Sequence, residues 1–235
     1  AAARSPAVSR PAVSDRENER HYSKLALAAD DAERTRMKSI PFLSALATIM
    51  YISHFSNPHV SYHTSFLGQF MHDPSYAGYL AVLDLIIYLY HNRDIDVIVY
   101  YPKPFIPKQI PGSQHAAFTA SHGFHAWADA SWLLRSPAGY FLFMSGGPID
   151  WASRLIRVIC LSSAEAEISA GSMAGRRLVF VIELLGAFGI KLTAPIALLI
   201  DNSAAGDLTK KFGVSARTAH FLRWQHYLRW LVIHQ

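Results

Sequence analysis

The sequence contains a single cysteine, Cys160, among its 235 residues. One thiol excludes an internal disulfide framework and fits a reducing compartment, so we expect an intracellular protein, cytoplasmic or nuclear. Cys160 lies in the apolar run LIRVIC. That setting favours a buried core thiol over a nucleophile.

Long apolar runs are also missing from the sequence. The longest, GYLAVLDLIIYLYH, contains Asp84 and is shorter than the ~20 residues that a membrane-spanning helix needs. The first forty residues have no uninterrupted apolar core of the kind that a secretory signal requires. We therefore expect no membrane insertion.

Charged residues are few, at 17%, whereas 51% of the residues are hydrophobic. This composition supports a folded protein with a sizeable core. The 22 Lys and Arg residues exceed the 17 Asp and Glu residues, which gives a formal net charge of +5. The excess suits a polyanionic partner such as nucleic acid, although proteins without such a partner can be equally basic.

Composition and periodicity divide the chain into four segments. Residues 1–30 are poor in large apolar side chains, which predicts a flexible N-terminal arm. Residues 31–93 have apolar residues at helical spacing, which predicts an all-α segment. Prolines cluster in YPKPFIPKQIPGSQ, which predicts a linker over 94–118. The remainder, 119–235, predicts an α/β domain.

Local signals place elements within the two folded segments. Helices are expected from a cap at Asp30 or Asp31 through Tyr51, then over 59–72 and 76–90. In the last segment, GFHAWADASW and RLIRVICLSS predict strands, and GYFLFMSGGPIDWAS predicts a hairpin that turns at Ser145-Gly146-Gly147. Further signals predict a buried strand in PIALLIDNS and helices over 164–188, 203–211 and 216–233. The order β-β-β-α-β-α indicates a mixed sheet.

Acidic residues fall at the points where functional groups gather in α/β sheets. Asp129 lies in the first strand, Asp201 ends the IALLI strand, and Glu165 and Glu167 lie in the first turns of a helix. Converging carboxylates require a cation, and their oxygens suit Mg²⁺ or Mn²⁺. Helix-dipole and capping roles explain the same acids without a metal, and both interpretations stay open at this point.

The motifs WADASW, GYFLFMSGGPIDWAS, LSSAEAEISAGSMAG, LLGAFGI, LLIDNSAA and ARTAHF occur in that order. In this combination they resemble the ribonuclease H domain of Ty1/copia-type retrotransposon Pol polyproteins. Upstream, MKSIPFLSALATIMYIS, QFMHDPS and LIIYL resemble the same family's reverse-transcriptase connection segment. The resemblance implies a ribonuclease-H-like mixed sheet flanked by helices, preceded by an all-α connection segment.

Carried over by motif, the family's catalytic and metal-binding acids fall on Asp129, Glu167 and Asp201. Glu165 is then expected to face solvent or to support the start of the helix. In the family this fold hydrolyses the RNA strand of an RNA–DNA hybrid with two divalent ions, and Asp129 is the natural bridging ligand. Candidate phosphate contacts, each equally explained as a solvated charge, are Arg176, Arg177, Lys210, Lys211 and Arg217.

The sequence departs from the family pattern in several places. It ends at LRWLVIHQ, without the last strand and the final helix that bring a fourth metal-binding aspartate, so an incomplete domain is expected. His220 or His226 are candidate auxiliary ligands, or simply packed or exposed side chains. Polar family positions are replaced at Ser131, Ala219, Leu222, His59, Leu83 and Ile87.

Two functions of different class follow from these observations. The first is a retroelement-derived ribonuclease H that uses two Mg²⁺ or Mn²⁺ ions and works beside an upstream reverse-transcriptase domain. The alternative is a non-catalytic, domesticated or decayed ribonuclease-H-fold subunit of a larger assembly, because apolar replacements mark partner surfaces.

Overall fold

The computed structural model describes residues 27–94, 112, 115–133, 135–192, 195–201 and 222–234. Contacts divide the chain into two compact units, Ala1–Val97 and Ile98–Gln235. Across the described residues, no helix combines the length and the apolar character that crossing a membrane requires.

The described part of the first unit is helical, as the apolar spacing predicts. Short 3₁₀ turns at Pro58–Val60 and Gly68–Phe70 flank its third helix. The four α-helices are α1 (Asp31–Met37), α2 (Phe42–Phe55), α3 (Ser61–Leu67) and α4 (Tyr76–His91). All four contribute to one core, formed by Met37, Phe42, Leu46, Ile49, Val60, Leu67, Ala81, Val82 and Leu85.

The helix expected to continue through Tyr51 is divided into α1 and α2. Asp30 caps α1 by accepting a hydrogen bond from the Glu33 N–H, which confirms one of the two predicted caps. Pro41 precedes α2. Because a proline has no backbone N–H and disfavours helical backbone at the residue before it, the periodic pattern is interrupted there.

Residues 1–26 of the predicted arm lie outside the described residues, but its last residues pack onto the first unit. Ala28 is buried, and its N–H donates to the Asp73 carbonyl over 3.1 Å. Arg34 holds both ends of this contact, because its guanidinium donates to the Ala28 carbonyl and to the Asp73 carboxylate. The chain is therefore anchored before α1 begins.

Two neighbouring histidines, the half-buried His59 and the buried His63, distinguish this helical core. His63 is 6% exposed, and both ring nitrogens of His59 and His63 lack hydrogen-bond partners among the described residues. Burial, and secondarily the neighbouring His59, lower the pKa of His63 to about 4. The folded unit therefore holds His63 neutral at pH values where an unfolded chain would protonate it.

Acidification should destabilise the first unit through His63. Between pH 6.5 and 4 the unfolded chain binds a proton that the folded chain excludes, so stability present above pH 6.5 is lost as the pH falls. The loss should reach about 3 kcal/mol at pH 4. Denaturant unfolding of the full chain at both pH values measures it. His63→Gln should reduce the pH dependence and the exposed His72→Gln should not; equal behaviour of the two variants would contradict the role of His63.

The second unit contains a four-stranded mixed sheet with the spatial order β3-β2-β1-β4. Strand β1 pairs antiparallel with β2 and parallel with β4, and β2 pairs antiparallel with β3. The mixed sheet confirms the predicted α/β class. Its strands are β1 (His125–Ala130), β2 (Pro137–Met144), β3 (Gly147–Leu155) and β4 (Ala197–Ile200).

The β2–β3 hairpin turns where the sequence predicts it. Ser145 and Gly146 have φ values of 51° and 80°, and positive φ at both central residues matches the right-handed twist of the two strands. The strand predicted in RLIRVICLSS is wrong, because β3 ends at Leu155 and the next residues form no regular element. Its β-branched residues alternate poorly: Val158 and Ile159 are both exposed, whereas Cys160 is buried.

Three helices complete the described part of this unit. The long helix α6 (Ser163–Ala187) confirms the helix predicted over 164–188, and α7 (Leu222–His234) covers part of the one predicted over 216–233. The helix predicted over 203–211 lies outside the described residues. The short α5 (His115–Ala120) lies partly in the predicted linker and was not expected, since six residues show no clear period.

Helix α6 approaches β4 and α7 through glycines. A Cβ atom at Gly171 would lie 2.7 Å from Ile200 Cδ1, and one at Gly175 would lie 2.6 Å from Leu231 Cδ1. Alanines fill the neighbouring turns, since Ala166, Ala170 and Ala174 are fully buried. Small side chains therefore set how closely α6 packs.

Enlarging this surface should destabilise the second unit. Gly175→Leu should lower the free energy of unfolding by roughly 1–3 kcal/mol, because the new side chain has no space beside Leu231. Gly186→Leu, in the same helix, should cause no such loss, since a Cβ there meets nothing within 4 Å. Denaturant unfolding of both variants is the measurement, and equal stabilities would refute the close packing.

Candidate metal centre

Two of the predicted acids lie side by side because β1 and β4 are parallel. Ala128 pairs with Ile200 across these strands, so Asp129 and Asp201 each follow the last paired residue. Parallel strands direct their carboxyl ends to the same edge of the sheet. Both aspartates are exposed at that edge.

Helix α6 supplies the third acid. Glu167 lies in its second turn and is 5% exposed. One carboxylate oxygen, Oε1, accepts a 3.4 Å hydrogen bond from the Ala130 N–H, which ties the side chain to β1. The other, Oε2, is buried and has no hydrogen-bond partner among the described residues.

The three acids bring one carboxylate oxygen each to within 4.8 Å of one another. A single Mg²⁺ bonded at about 2.1 Å holds opposite ligands about 4.2 Å apart, so small side-chain rotations would close the group around an ion. Carboxylate oxygens are the donors that Mg²⁺ and Mn²⁺ prefer. The donor set and the unpaired Glu167 Oε2 therefore fit a hard divalent cation.

The electrostatic environment opposes ionisation of Glu167. Burial raises its pKa to about 7, and the negative charges of Asp129 and Asp201 act in the same direction. A hydrogen bond between the protonated Glu167 carboxyl and Asp129 also raises this pKa. A proton or a cation among the three carboxylates would relieve this repulsion.

The other glutamate of the motif has a different role. Glu165 is 2% exposed, so the expectation that it faces solvent is wrong. Its Oε2 accepts a 2.7 Å hydrogen bond from the Leu161 N–H, and its own N–H donates to Ser162 Oγ. This reciprocal arrangement resembles a capping box and supports the start of α6, which was the other expectation.

The two predicted phosphate contacts that the structure describes, Arg176 and Arg177, lie away from the acids. Arg176 and Arg177 lie about 14 Å further along α6, at 1.5 Å per residue. Arg176 is exposed, whereas Arg177 donates to Asp150 over 2.6 Å and stacks over Phe180. Lys210, Lys211, Arg217 and His220 lie outside the described residues. His226 is exposed on α7 and contributes no atom to the acid group.

Comparisons with known proteins show similarity of the sequence to transposon proteins. The chain is 24% identical over 200 residues to the "Retrovirus-related Pol polyprotein from transposon TNT 1-94" of Nicotiana tabacum, which covers 85% of the chain and 14% of that protein. It is 26% identical over 189 residues to the "Retrovirus-related Pol polyprotein from transposon RE1" of Arabidopsis thaliana, which covers 78% of the chain and 12% of that protein. The sequence is thus related to retrotransposon Pol polyproteins, of which it spans a small part.

The alignment with one shorter relative covers most of that protein's length. "Secreted RxLR effector protein 161" of Plasmopara viticola is 29% identical over 150 residues, which covers 62% of the chain and 94% of that protein. No family model matches the chain. No solved structure matches it significantly.

Removing the charge of Glu167 should stabilise the chain at alkaline pH when no divalent cation is present. The unfolded chain ionises this group near its ordinary pKa of 4.5, whereas the folded chain does so near 7, so its contribution to stability falls as the pH rises between these values. In EDTA, the free energy of unfolding of Glu167→Gln minus that of wild type should therefore be up to about 3 kcal/mol larger at pH 8 than at pH 5.

The measurement is the free energy of unfolding of both proteins at the two pH values. Glu183→Gln, an exposed acid on the same helix, is the matched control and should show no such gain. If the free energy of unfolding of Glu167→Gln changes with pH as that of wild type does, Glu167 ionises normally.

Proposed function

We propose that this chain is the ribonuclease H part of a retroelement Pol polyprotein and hydrolyses the RNA strand of RNA–DNA hybrids. The observation that carries the proposal is the group formed by Asp129, Glu167 and Asp201 at one edge of the sheet. These acids occupy the motifs through which the sequence resembles copia-type ribonuclease H domains. Relatedness to transposon Pol polyproteins supports the same lineage.

The acids would bind two Mg²⁺ or Mn²⁺ ions. When bound, two such ions supply the charge that activates water and stabilises the leaving oxygen of a phosphodiester. The exposed Asp129 and Asp201 face the side from which a nucleic-acid backbone can approach, and Asp129, the first acid in the motif order, would contribute to holding both ions. Glu167, oriented by its hydrogen bond from the Ala130 N–H, would be a further ligand of the ions.

The residues around the acids limit the ways in which the site can distort. The Glu165–Ser162 cap fixes the first turn of α6. One turn beyond Glu167, Gly171 lies against Ile200, the residue before Asp201. The backbone would therefore keep the three acids close together before any ligand binds, which is part of the preorganisation that phosphoryl-transfer sites require.

The partners follow from this chemistry. An RNA–DNA hybrid would be held by its backbone and its shape, since ribonuclease H chemistry requires no reading of bases. The helical first unit would connect this domain to an upstream reverse transcriptase, as the Pol relationship suggests. Within the proposal, Arg176 remains a candidate phosphate contact, whereas Arg177 would have to exchange its ion pair with Asp150.

A second candidate function is favoured by exposed apolar side chains on the first unit. Tyr51 and Phe55 of α2 and Ile87 and Tyr90 of α4 are each at least half exposed. Exposed apolar area of this kind marks a partner interface. A non-catalytic subunit that keeps the fold and joins a larger assembly would use this surface and leave the acids idle.

Hydrolysis of a labelled RNA–DNA hybrid in Mg²⁺ and in Mn²⁺ distinguishes the two functions. The wild-type chain should cleave the RNA strand, and Asp129→Asn should lower the rate at least about a hundredfold. Loss of a bridging ligand removes several kcal/mol of transition-state stabilisation, and each ~1.4 kcal/mol changes the rate tenfold.

Glu183→Gln removes an exposed acid of the same domain and should cleave at the wild-type rate. Wild-type protein that unfolds cooperatively but does not cleave would reject the nuclease and favour the structural subunit. Cleavage that survives in Asp129→Asn would indicate a contaminating nuclease.

A further inference from the structure

A basic pocket lies at the same edge of the sheet as the acids. It has a volume of about 360 Å³ and is lined by Arg135, Leu155, Ile156, Arg157, Val158 and Ile159. Arg135 and Arg157 are exposed. Neither has an acidic partner within salt-bridge distance among the described residues, unlike Arg34 and Arg177.

Strand register fixes the position of this pocket relative to the acids. Asp129 pairs with Gly139 of β2, and Gly139 pairs with Ser153 of β3, so the ends of β1 and β3 lie two strand spacings apart. That separation is about 10 Å. The Ile156 N–H donates to the Ser136 carbonyl over 2.8 Å, which holds the two arginine-bearing segments together at this edge.

In the sequence, Trp132 lies midway between Asp129 and the pocket residue Arg135, three residues from each. Its Nε1–H donates to the Cys160 carbonyl over 3.0 Å, and its side chain is nevertheless 58% exposed. The indole is therefore tied to the segment that carries Arg157 while much of its surface stays open to solvent. A fixed, exposed aromatic ring is the platform on which nucleic-acid bases stack.

We propose that Trp132, Arg135 and Arg157 form a strand-binding contact: the arginines bind backbone phosphates and Trp132 packs against a sugar, or an unpaired base, of the same strand. Guanidinium groups bind phosphate through paired hydrogen bonds, and the apolar lining from Val158 and Ile159 lowers the competition from water. At about 3.4 Å per nucleotide, the pocket lies about three nucleotides from the acids.

This contact deepens the proposed function and rests on it for the identity of the ligand as a nucleic acid. Charge complementarity favours a polyanion over an apolar protein partner, since the only charged residues that line the described pocket are the two arginines. The contact also differs from the predicted basic residues, because Arg176 and Arg177 lie further along α6.

The test measures, by fluorescence anisotropy, the binding of a fluorescein-labelled RNA–DNA hybrid to the full chain in EDTA. The measurement is repeated across a range of salt concentrations. Arg135→Gln/Arg157→Gln should weaken binding about tenfold or more and lower the slope of log K against log salt by about one to two. Arg135→Lys/Arg157→Lys should recover most of the slope, because the charge is kept. Trp132→Leu should weaken binding severalfold and leave the slope unchanged, because no charge is removed.

Lys191→Gln/Arg223→Gln removes the same charge from two exposed positions outside the pocket and should change both quantities much less. If the two double variants behave alike, the pocket is not a phosphate site, even where the wild-type chain cleaves hybrids. If the salt slope falls in Arg135→Gln/Arg157→Gln but not in the control variant, and the wild-type chain does not cleave, the contact is supported and the nuclease is rejected. A wild-type chain that does not bind the hybrid overturns both.

Discussion

The close approach of α6 to the sheet is the constraint on which the candidate site depends. Alanines and glycines on the buried face of this helix leave no side chain to hold it away from β4, and Gly171 packs directly against Ile200. Because Glu167 lies one turn earlier on the same helix, this packing brings its carboxylate to the ends of β1 and β4. A larger residue at Gly171 would therefore disturb the arrangement of the acids as well as stability.

The same packing creates an electrostatic conflict that the rest of the domain must tolerate. A nearly buried carboxylate lies beside two others, and the raised pKa of Glu167 expresses the cost of ionising it there. Local features offset part of this cost: the Ala130 N–H bonds Glu167, and the Glu165–Ser162 cap secures the start of the helix. Conflicts of this kind are characteristic of functional sites rather than of structural cores.

Local signals in the sequence predicted the elements better than their arrangement. The hairpin at Ser145-Gly146 and the helices α4 and α6 follow from turn chemistry and periodicity alone. Periodicity could not show that Pro41 divides the first helix, nor that Val158 and Ile159 are exposed, because apolar β-branched residues predict a strand wherever tertiary contacts do not intervene.

The site was predictable in composition but not in geometry. Strand ends and helix starts indicated which acids to compare, and the family resemblance selected Glu167 over Glu165. The neighbour relation between β1 and β4 depends on tertiary structure, as do the burial of Glu165 and the juxtaposition of Arg135 with Arg157. Neither arginine stood out in the sequence, since isolated basic residues carry no period and no motif.

The parallel pairing of β1 with β4 also imposes an order of events during protein synthesis. The β2–β3 hairpin and the helices of the first unit join residues that are close in sequence, so they can form soon after they leave the ribosome. Strand β1 has to wait for the whole of α6 and for β4 before its second edge is covered. Asp129 therefore waits for about 70 further residues before Asp201 is made, and a ribosome that stalls within α6 leaves a hairpin-bearing fragment whose open strand edge chaperones can bind.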